Sequence, residues 1–78
     1  MLPDYFSILG VDIDASDFEI RFAFQKLEEK FHPERNGGDK FFEARYNNIK
    51  TAYFTLSDPR RKADYIARYF LLKQLLKN

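Results

Sequence analysis

The residues of this chain most able to do chemistry lie in one polar loop, residues 32–39, with the sequence His32-Pro33-Glu34-Arg35-Asn36-Gly37-Gly38-Asp39. His32 and Glu34 could in principle form an acid–base pair or ligate a metal ion. However, His32 is the single histidine and there is no cysteine, so no partner of metal-site spacing accompanies it. No nucleophile is set beside it either. We therefore expect a recognition loop, with no catalytic residue, no metal and no cofactor.

Two other patterns point away from nucleotide and nucleic-acid binding. Gly37-Gly38 lacks the Gly-Lys-Ser/Thr ending of a phosphate-binding loop. Residues 57–78 hold six basic side chains against two acidic ones, a net charge of four positive. Nucleic-acid binding through this basic last segment is an alternative hypothesis, but it needs a wider basic surface with stacking aromatics or a groove-reading helix. We expect a solvated basic helix face instead.

Composition limits the chain to one small domain. A domain of 78 residues buries only about 60% of its unfolded surface, so its core must be efficient. Nine Phe and five Tyr supply that core. The absence of cysteine fits the cytoplasm or another reducing compartment. No run of about 18 uncharged apolar residues occurs, so we expect no membrane span.

The segments that position the loop have helical periodicity and predict an all-α fold of four helices. A short first helix is expected over residues 3–10, with a shared face of Tyr5, Ile8 and Leu9. Ser16 and Glu19 form a capping box that begins the second helix, and Pro33 ends it. Its apolar stripe consists of Ile20, Ala23, Phe24, Leu27 and Phe31.

The third and fourth helices follow the loop. Asp39 is expected to cap a helix over residues 40–56, with a stripe of Phe42, Tyr46, Ile49, Ala52, Tyr53 and Leu56. Because the second and third helices have matching stripes and lengths, we expect an antiparallel hairpin with the loop at its tip. Asp58 and Pro59 begin a longer last helix that extends to about residue 76. Ala63, with Ile66 or Tyr65, should cover the hairpin.

Several apolar side chains lie outside these stripes. They are Phe18, Phe22, Phe41 and Phe54, together with the leucine-rich end of the last helix in residues 70–76. Exposed aromatic pairs of this kind often mark a contact surface. Two hypotheses follow: a second protein or another copy of the chain binds Phe18, Phe22 and the last helix, or the last helix folds back and covers some of the aromatics.

The ordered set of motifs resembles the J-domain family over residues 4 to about 69. Residues 4–11 are similar to its opening D-Y-Y-x-I-L-G-V, residues 30–33 to its K-Y-H-P, and residues 56–65 to the start of its last helix. The resemblance implies an antiparallel two-helix hairpin with a short N-terminal helix and a longer C-terminal helix. We expect residues 1–78 to form a single J-like domain whose last helix extends beyond the family core after about residue 69.

The resemblance also implies a function. J-domains are co-chaperone modules that dock on a DnaK-class (heat-shock-70-type) chaperone and modulate its ATPase through the second helix and the loop, without being enzymes themselves. Carried onto this chain, the partner-binding candidates are Arg21, Phe24, Lys26, Lys30, His32, Pro33, Glu34, Arg35 and Asn36.

The chain departs from the family pattern at two places. Glu34 replaces the family's aspartate, so a carboxylate that pairs with a fixed guanidinium is displaced by one methylene. The acidic residues of the second helix, Asp17, Glu19, Glu28 and Glu29, outnumber its three basic ones. The alternative is therefore a degenerate J-like interaction module that does not stimulate a chaperone. A variant of the first hypothesis is a co-chaperone of iron–sulfur assembly.

Overall fold

Four helices make up the regular structure of residues 2–32, 34 and 37–77, the part of the chain that the computed structural model describes. Helix α1 spans Tyr5–Leu9, α2 spans Asp17–Phe31, α3 spans Lys40–Leu56 and α4 spans Pro59–Lys77. The all-α prediction is confirmed. Within these described ranges no helix has the length and apolarity needed to cross a bilayer.

Side-chain caps explain where the helices begin. The predicted capping box of α2 is present: the Glu19 amide donates to the Ser16 hydroxyl at 3.1 Å, and the Ser16 amide donates to the Glu19 carboxylate at 3.0 Å. Each reciprocal bond satisfies a backbone N–H that the first turn leaves without a helical partner. At the start of the other three helices, hydrogen bonds from first-turn amides are accepted by the carboxylates of Asp4, Asp39 and Asp58.

Gly10 ends α1 and turns the chain toward α2. Its φ of 72° lies in the left-handed region, which a residue with a Cβ adopts only at a cost. There its amide donates to the Ser7 carbonyl at 3.1 Å, and the following Val11 amide donates to the Phe6 carbonyl at 3.0 Å. These bonds satisfy carbonyls at the end of a helix that is only five residues long.

Ring contacts between α2 and α3 establish the predicted antiparallel hairpin. Phe31 at the end of α2 packs on Phe42 near the start of α3, with ring centroids 5.5 Å apart. Further from the loop, Phe24 stacks on Tyr53 at 4.0 Å and almost parallel. The apolar stripes therefore face each other as expected, around a buried core of Phe6, Leu9, Ala15, Ile20, Phe31, Ile49, Ala52, Leu56 and Tyr65.

Two details of the predicted core are wrong. In α1 the buried residues are Phe6 and Leu9, whereas Tyr5 and Ile8 are only half-buried. Five helical residues are too few for periodicity to fix a face, because Tyr5–Ile8 and Phe6–Leu9 are both i, i+3 pairs and only the second pair is buried. In α4, Ala63 is exposed and Tyr65 is the buried residue, because the helix presents the larger side chain to the core.

Tyr65 fastens the N-terminal segment to the last helix. Its hydroxyl donates to the Pro3 carbonyl at 2.6 Å and accepts from the Tyr5 amide at 2.9 Å. Its ring also packs on the ring of Tyr5 at a centroid distance of 4.8 Å. Burial raises the pKa of the Tyr65 hydroxyl, so the group stays protonated and able to donate.

Two cationic side chains hold the start of α4 in place. The Arg61 Nε donates to the Phe54 carbonyl at 3.0 Å, and its guanidinium lies 3.7 Å from the centre of the Phe54 ring. This puts a positive charge at the C-terminus of α3, where the helix dipole favours it. Lys62 approaches the Ala15 carbonyl at 3.5 Å and the Asp17 carboxylate at 3.7 Å. The Arg61 contacts hold the start of α4 against the end of α3, and the Lys62 contacts hold it near the start of α2.

We predict that Tyr65→Phe lowers thermal stability through the loss of one hydroxyl. The change leaves the Pro3 carbonyl and the Tyr5 amide without their partner, which costs about 1–3 kcal/mol. For a domain of this size, each kcal/mol corresponds to roughly 4–8 °C in melting temperature. The measurement is thermal unfolding followed by circular dichroism.

Tyr53→Phe is the matched control for this change. Tyr53 is half-buried like a core aromatic, and within residues 2–32, 34 and 37–77 its hydroxyl has no hydrogen-bond partner. We expect its melting temperature to stay close to that of the wild type. Equal melting temperatures for the two variants would contradict the role given to the Tyr65 hydroxyl.

We predict that the capping box makes stability depend on acid pH. The bond from the Ser16 amide, followed by the bond with the Ser16 side chain, lowers the pKa of Glu19 below its usual value of about 4.3. A lowered folded-state pKa contributes stability that is present above the unfolded pKa and lost as pH falls through the folded one. The melting temperature should therefore drop between about pH 5 and pH 3 by less in Glu19→Gln than in the wild type.

The control for the capping box is Glu43→Gln. Glu43 also lies in the first turn of a helix, but no reciprocal bond to a cap residue joins it within the described ranges. Glu43→Gln therefore removes the same charge from the same end of a helix dipole as Glu19→Gln does. If Glu43→Gln and Glu19→Gln flatten the acid limb equally, the effect belongs to helix dipoles and not to the capping box.

Candidate functional site

The loop lies at the apex of the α2–α3 hairpin, held between Phe31 and Asp39. His32 is half-buried and Glu34 is exposed. Three of the predicted partner-binding residues, Pro33, Arg35 and Asn36, lie outside the described residues. The apex is closed from below by the Phe31–Phe42 ring contact, so the loop begins and ends at fixed points. Its position is the one that the sequence predicts.

The His32 side chain bonds the backbone of the loop at Glu34. The Nδ1 atom accepts a hydrogen bond from the Glu34 amide at 3.3 Å. Nδ1 therefore acts as the acceptor in this bond. The imidazole also meets the Tyr46 ring edge-on, with centroids 5.8 Å apart. Through these two contacts the imidazole connects the loop backbone to α3. His32 lies directly after the last turn of α2 and bonds an amide two residues further along the loop.

The three basic candidates of α2 do not share one face. Lys26 and Lys30 are exposed and one turn apart, so they form a row that leads to the loop. Arg21 is also exposed but lies about 140° around the helix from Lys26, at 100° per residue. Lys26 places its ammonium 4.7 Å from the centre of the exposed Phe22 ring. The structure thus brings the two lysines together with the loop and leaves Arg21 on the other flank.

Phe24 occupies a different environment from the other candidates. It is half-buried, and its ring stacks on Tyr53 inside the hairpin. A stacked aromatic pair of this kind stabilises the packing of two elements. Phe24 therefore supports the surface from beneath, and any contact with a partner involves only the exposed part of the ring.

Three polar residues of α2 that were not predicted as partner-binding complete the site. Gln25, Glu28 and Glu29 line a shallow cleft together with His32 and Glu34. These three residues precede His32 by seven, four and three positions, respectively, which is the spacing of one helix face. That periodicity is visible in the sequence, whereas the family pattern points only to the positive charges on α2. With three carboxylates, the cleft is strongly acidic.

Tyr46 connects this cleft to α3. Its hydroxyl donates to the Glu28 carboxylate at 3.4 Å. Desolvation, followed by the nearby Glu28 charge, raises the pKa of the Tyr46 hydroxyl, which stays protonated and continues to donate. The Lys50 ammonium lies 5.0 Å from the centre of the same ring. The acidic cleft therefore has a donor and a cation behind it on α3.

The arrangement is suited to recognition by charge. The exposed Glu34 carboxylate offers acceptors for a planar guanidinium of a partner. Lys26 and Lys30 offer a positive row beside them. Among the described residues, no group of three or more His, Cys, Asp or Glu side chains is placed to hold a metal ion.

The off-stripe aromatics remain on the surface. Phe18 is 72% exposed and Phe22 is 49% exposed, and their rings stack almost parallel with centroids 6.1 Å apart. Phe41 and Phe54 are exposed as well. The hypothesis that α4 folds back over these rings is wrong, because α4 is one continuous helix that leaves them open.

Comparison with known proteins gives one family. Residues 4–65 match the family profile described as the DnaJ domain. The chain is 52% identical over 62 residues to the chaperone protein DnaJ of Acetivibrio thermocellus, 50% identical to that of Nitrosomonas europaea and 48% identical to that of Clostridium novyi. Each alignment covers 80% of this chain and 16–17% of the relative, so the chain spans about one sixth of the length of the curated relatives it matches.

The family match covers most of the chain and includes α1, α2, α3 and the first two turns of α4. The helical hairpin with the polar loop at its apex is the architecture that the resemblance implied. By its sequence the chain belongs to the DnaJ-domain family, and its all-helical fold agrees with this.

Proposed function

We propose that this chain is the J-domain of a co-chaperone that docks on a DnaK-class chaperone and increases its rate of ATP hydrolysis. Membership of the DnaJ-domain family supports the proposal, as does the name chaperone protein carried by the relatives. The chain performs no bond-breaking step in this scheme. It acts as a bound activator, and the chemistry belongs to its partner.

The observation that carries the proposal is the exposed Glu34 carboxylate held beside His32 at the hairpin apex. The bond from the Glu34 amide to the imidazole fixes the backbone from which the carboxylate projects. Because this bond restrains the Glu34 backbone before binding, less conformational entropy is lost there when the partner binds. A loop that recognises its partner through only a few of its own side chains depends on such a restraint.

Glu34 supplies the specific contact in this proposal. A carboxylate that meets a guanidinium in a two-bond arrangement gives both energy and orientation. Glu34 carries its charge one methylene further from the backbone than the aspartate of the family pattern does. The partner's cation must therefore lie correspondingly further out, or the loop must tilt to receive it.

The lysine row supplies long-range attraction. Lys26 and Lys30 lie on the flank of α2 that leads to the loop, and charges arranged in this way raise the rate of encounter with an acidic partner. The acidic cleft beside them has the opposite effect. We infer that association is steered less strongly than it would be by a helix of uniformly positive charge.

The competing hypothesis is a J-like module that has lost its chaperone partner. Glu34, the acidic cleft and the exposed Phe18–Phe22 pair are the observations that favour it. The two hypotheses differ in one measurable quantity, which is the rate of ATP hydrolysis by a DnaK-class chaperone in a single turnover with and without this chain.

We predict that the wild-type chain accelerates single-turnover hydrolysis and that Glu34→Gln does not at the same concentration. The glutamine keeps the length of the side chain and removes its charge. Losing one partner of a desolvated charge pair costs about 2–5 kcal/mol, so the half-maximal concentration should rise at least about thirtyfold. Glu34→Asp keeps the charge and is the control, and we expect it to stimulate at least as well as the wild type.

The same three proteins decide between the hypotheses. Stimulation by Glu34→Asp alone would identify a loop that the longer side chain has disabled. No stimulation by any of the three would support the module without a chaperone. Equal stimulation by wild type and Glu34→Gln would remove the carboxylate from the mechanism.

We predict that Lys26→Ala slows association with the chaperone and that added salt reduces the difference. Steering acts through charges that salt screens, with a Debye length of about 10 Å at 0.1 M and about 3 Å at 1 M. The measurement is stopped-flow association at low and high salt.

Lys77→Ala is the matched control, since it removes the same charge from the exposed far end of α4. It should leave the association rate unchanged. A loss of rate that is the same for both variants, or that persists at high salt, would contradict steering by the lysine row.

A further inference from the structure

The inward face of α4 continues past the folded core. Tyr65, Tyr69, Leu72 and Leu76 follow one another at steps of four, three and four residues, the spacing of a helix-packing seam. Tyr65 and Tyr69 pack on the Phe6 ring, with centroids 5.7 and 5.9 Å away. Leu72 is half-buried and Leu76 is 80% exposed. The seam therefore begins inside the domain and ends open to solvent.

The open half of the seam forms an apolar groove with the N-terminal segment. The groove has a volume of about 420 Å³ and is lined by Leu2, Asp4, Tyr69, Leu72, Lys73, Leu75 and Leu76. Asp4 is already committed to the cap of α1 through the Ser7 amide and hydroxyl. Apart from Asp4, these residues lie outside residues 4–65, where the family match is found. The groove is thus a feature of this chain in addition to the matched domain.

Apart from Asp4, whose carboxylate caps α1, the charges along this part of α4 are of one sign. Arg68, Lys73 and Lys77 follow along α4, and residues 65–77 contain no acidic side chain. In a helical seam the residues beside the apolar positions choose the partner by charge, and like charges destabilise a pairing. A second copy of α4 would bring these cations against one another. An acidic partner would neutralise them.

We propose that this groove binds an acidic amphipathic helix of a partner protein. The partner's apolar side chains, spaced three and four residues apart, extend the seam that Tyr65 and Tyr69 begin. Its Asp or Glu side chains lie along the edges of the groove and pair with Lys73 and Arg68. This is recognition of a helix in a groove, with anchors from the apolar face and selection by the charged edges.

The inference goes beyond the proposed function, because none of the groove residues belongs to α2 or to the loop. A chain could bind an acidic helix here whether or not it stimulates a chaperone. The two proposals therefore succeed or fail in separate assays.

The test uses two synthetic helical peptides as probes, with the same leucine seam and with either Glu or Lys at the flanking positions. Binding of the fluorescein-labelled peptides to the whole chain is measured by fluorescence anisotropy. We expect the Glu peptide to bind at least about tenfold more tightly than the Lys peptide, a difference of about 1.4 kcal/mol. Lys73→Glu should weaken binding of the Glu peptide and strengthen binding of the Lys peptide.

Two leucine variants locate the site on α4. Leu76→Ser should weaken binding of the Glu peptide at least about tenfold, as expected for an anchor residue. Leu71→Ser is the control, because Leu71 is 62% exposed on the same helix but does not line the groove. Both leucines are exposed, so both variants should keep the wild-type melting temperature.

Several outcomes overturn the proposal. Equal affinity for the two peptides, or no binding of either, removes charge-selected helix recognition. A chain that sediments as a dimer and becomes monomeric in Leu76→Ser assigns the groove to a second copy. Flotation with phosphatidylserine vesicles that Leu76→Ser abolishes, without peptide binding, assigns it to a lipid surface.

Discussion

The contact between Phe31 and Phe42 is the constraint on which the apex depends. It joins the last residue of α2 to the first turn of α3 and fixes both ends of the loop. Closing a loop costs entropy that must be offset by contacts at its base. The Phe24–Tyr53 stack, further down the hairpin, keeps the two helices in the same register. With these two ring pairs in place, the bond from the Glu34 amide to the His32 imidazole acts on a segment whose flanking helices are already fixed.

The domain separates its surfaces by charge. The apex of the hairpin has carboxylates in a cleft with a row of lysines beside it, whereas the end of α4 is apolar and its charged side chains are all basic. The two surfaces use different helices, and the Tyr65 hydroxyl supports the one on α4 because it holds the N-terminal segment against that helix. That segment supplies Leu2 to the groove. A small domain can in this way offer two docking surfaces of different chemistry around one core.

Local chemistry explains why so much of the fold could be predicted from the sequence. The bounds of α2 and α3 follow from the Ser16–Glu19 capping box and from Asp39, which act within one turn of the chain. The facing stripes determine the hairpin because each helix has only one apolar face to bury. Phe6 was missed and Ala63 was assigned wrongly where this logic is weakest, in a helix of five residues and at the start of a helix with apolar residues on several sides.

The candidate site could be predicted only in part. The sequence located the loop and the lysine row, since both follow from the motif order. It did not separate Arg21 from the lysines, although their angular positions on an ideal helix contain that information. The acidic cleft was not predicted, because Glu28 and Glu29 form it only together with His32, one turn further along the chain. Tyr46 joins the cleft from another helix, a contact between residues 18 positions apart that only the folded chain shows.

The most direct test of the account is a nuclear magnetic resonance titration of the ¹⁵N-labelled chain with an unlabelled DnaK-class chaperone. The account predicts that amide signals from His32, Glu34 and the segment around Lys26 and Lys30 shift or broaden first, while those around Phe54 and Arg61 stay in place. Perturbation confined to α4, or spectra that do not change at saturating chaperone, would contradict it.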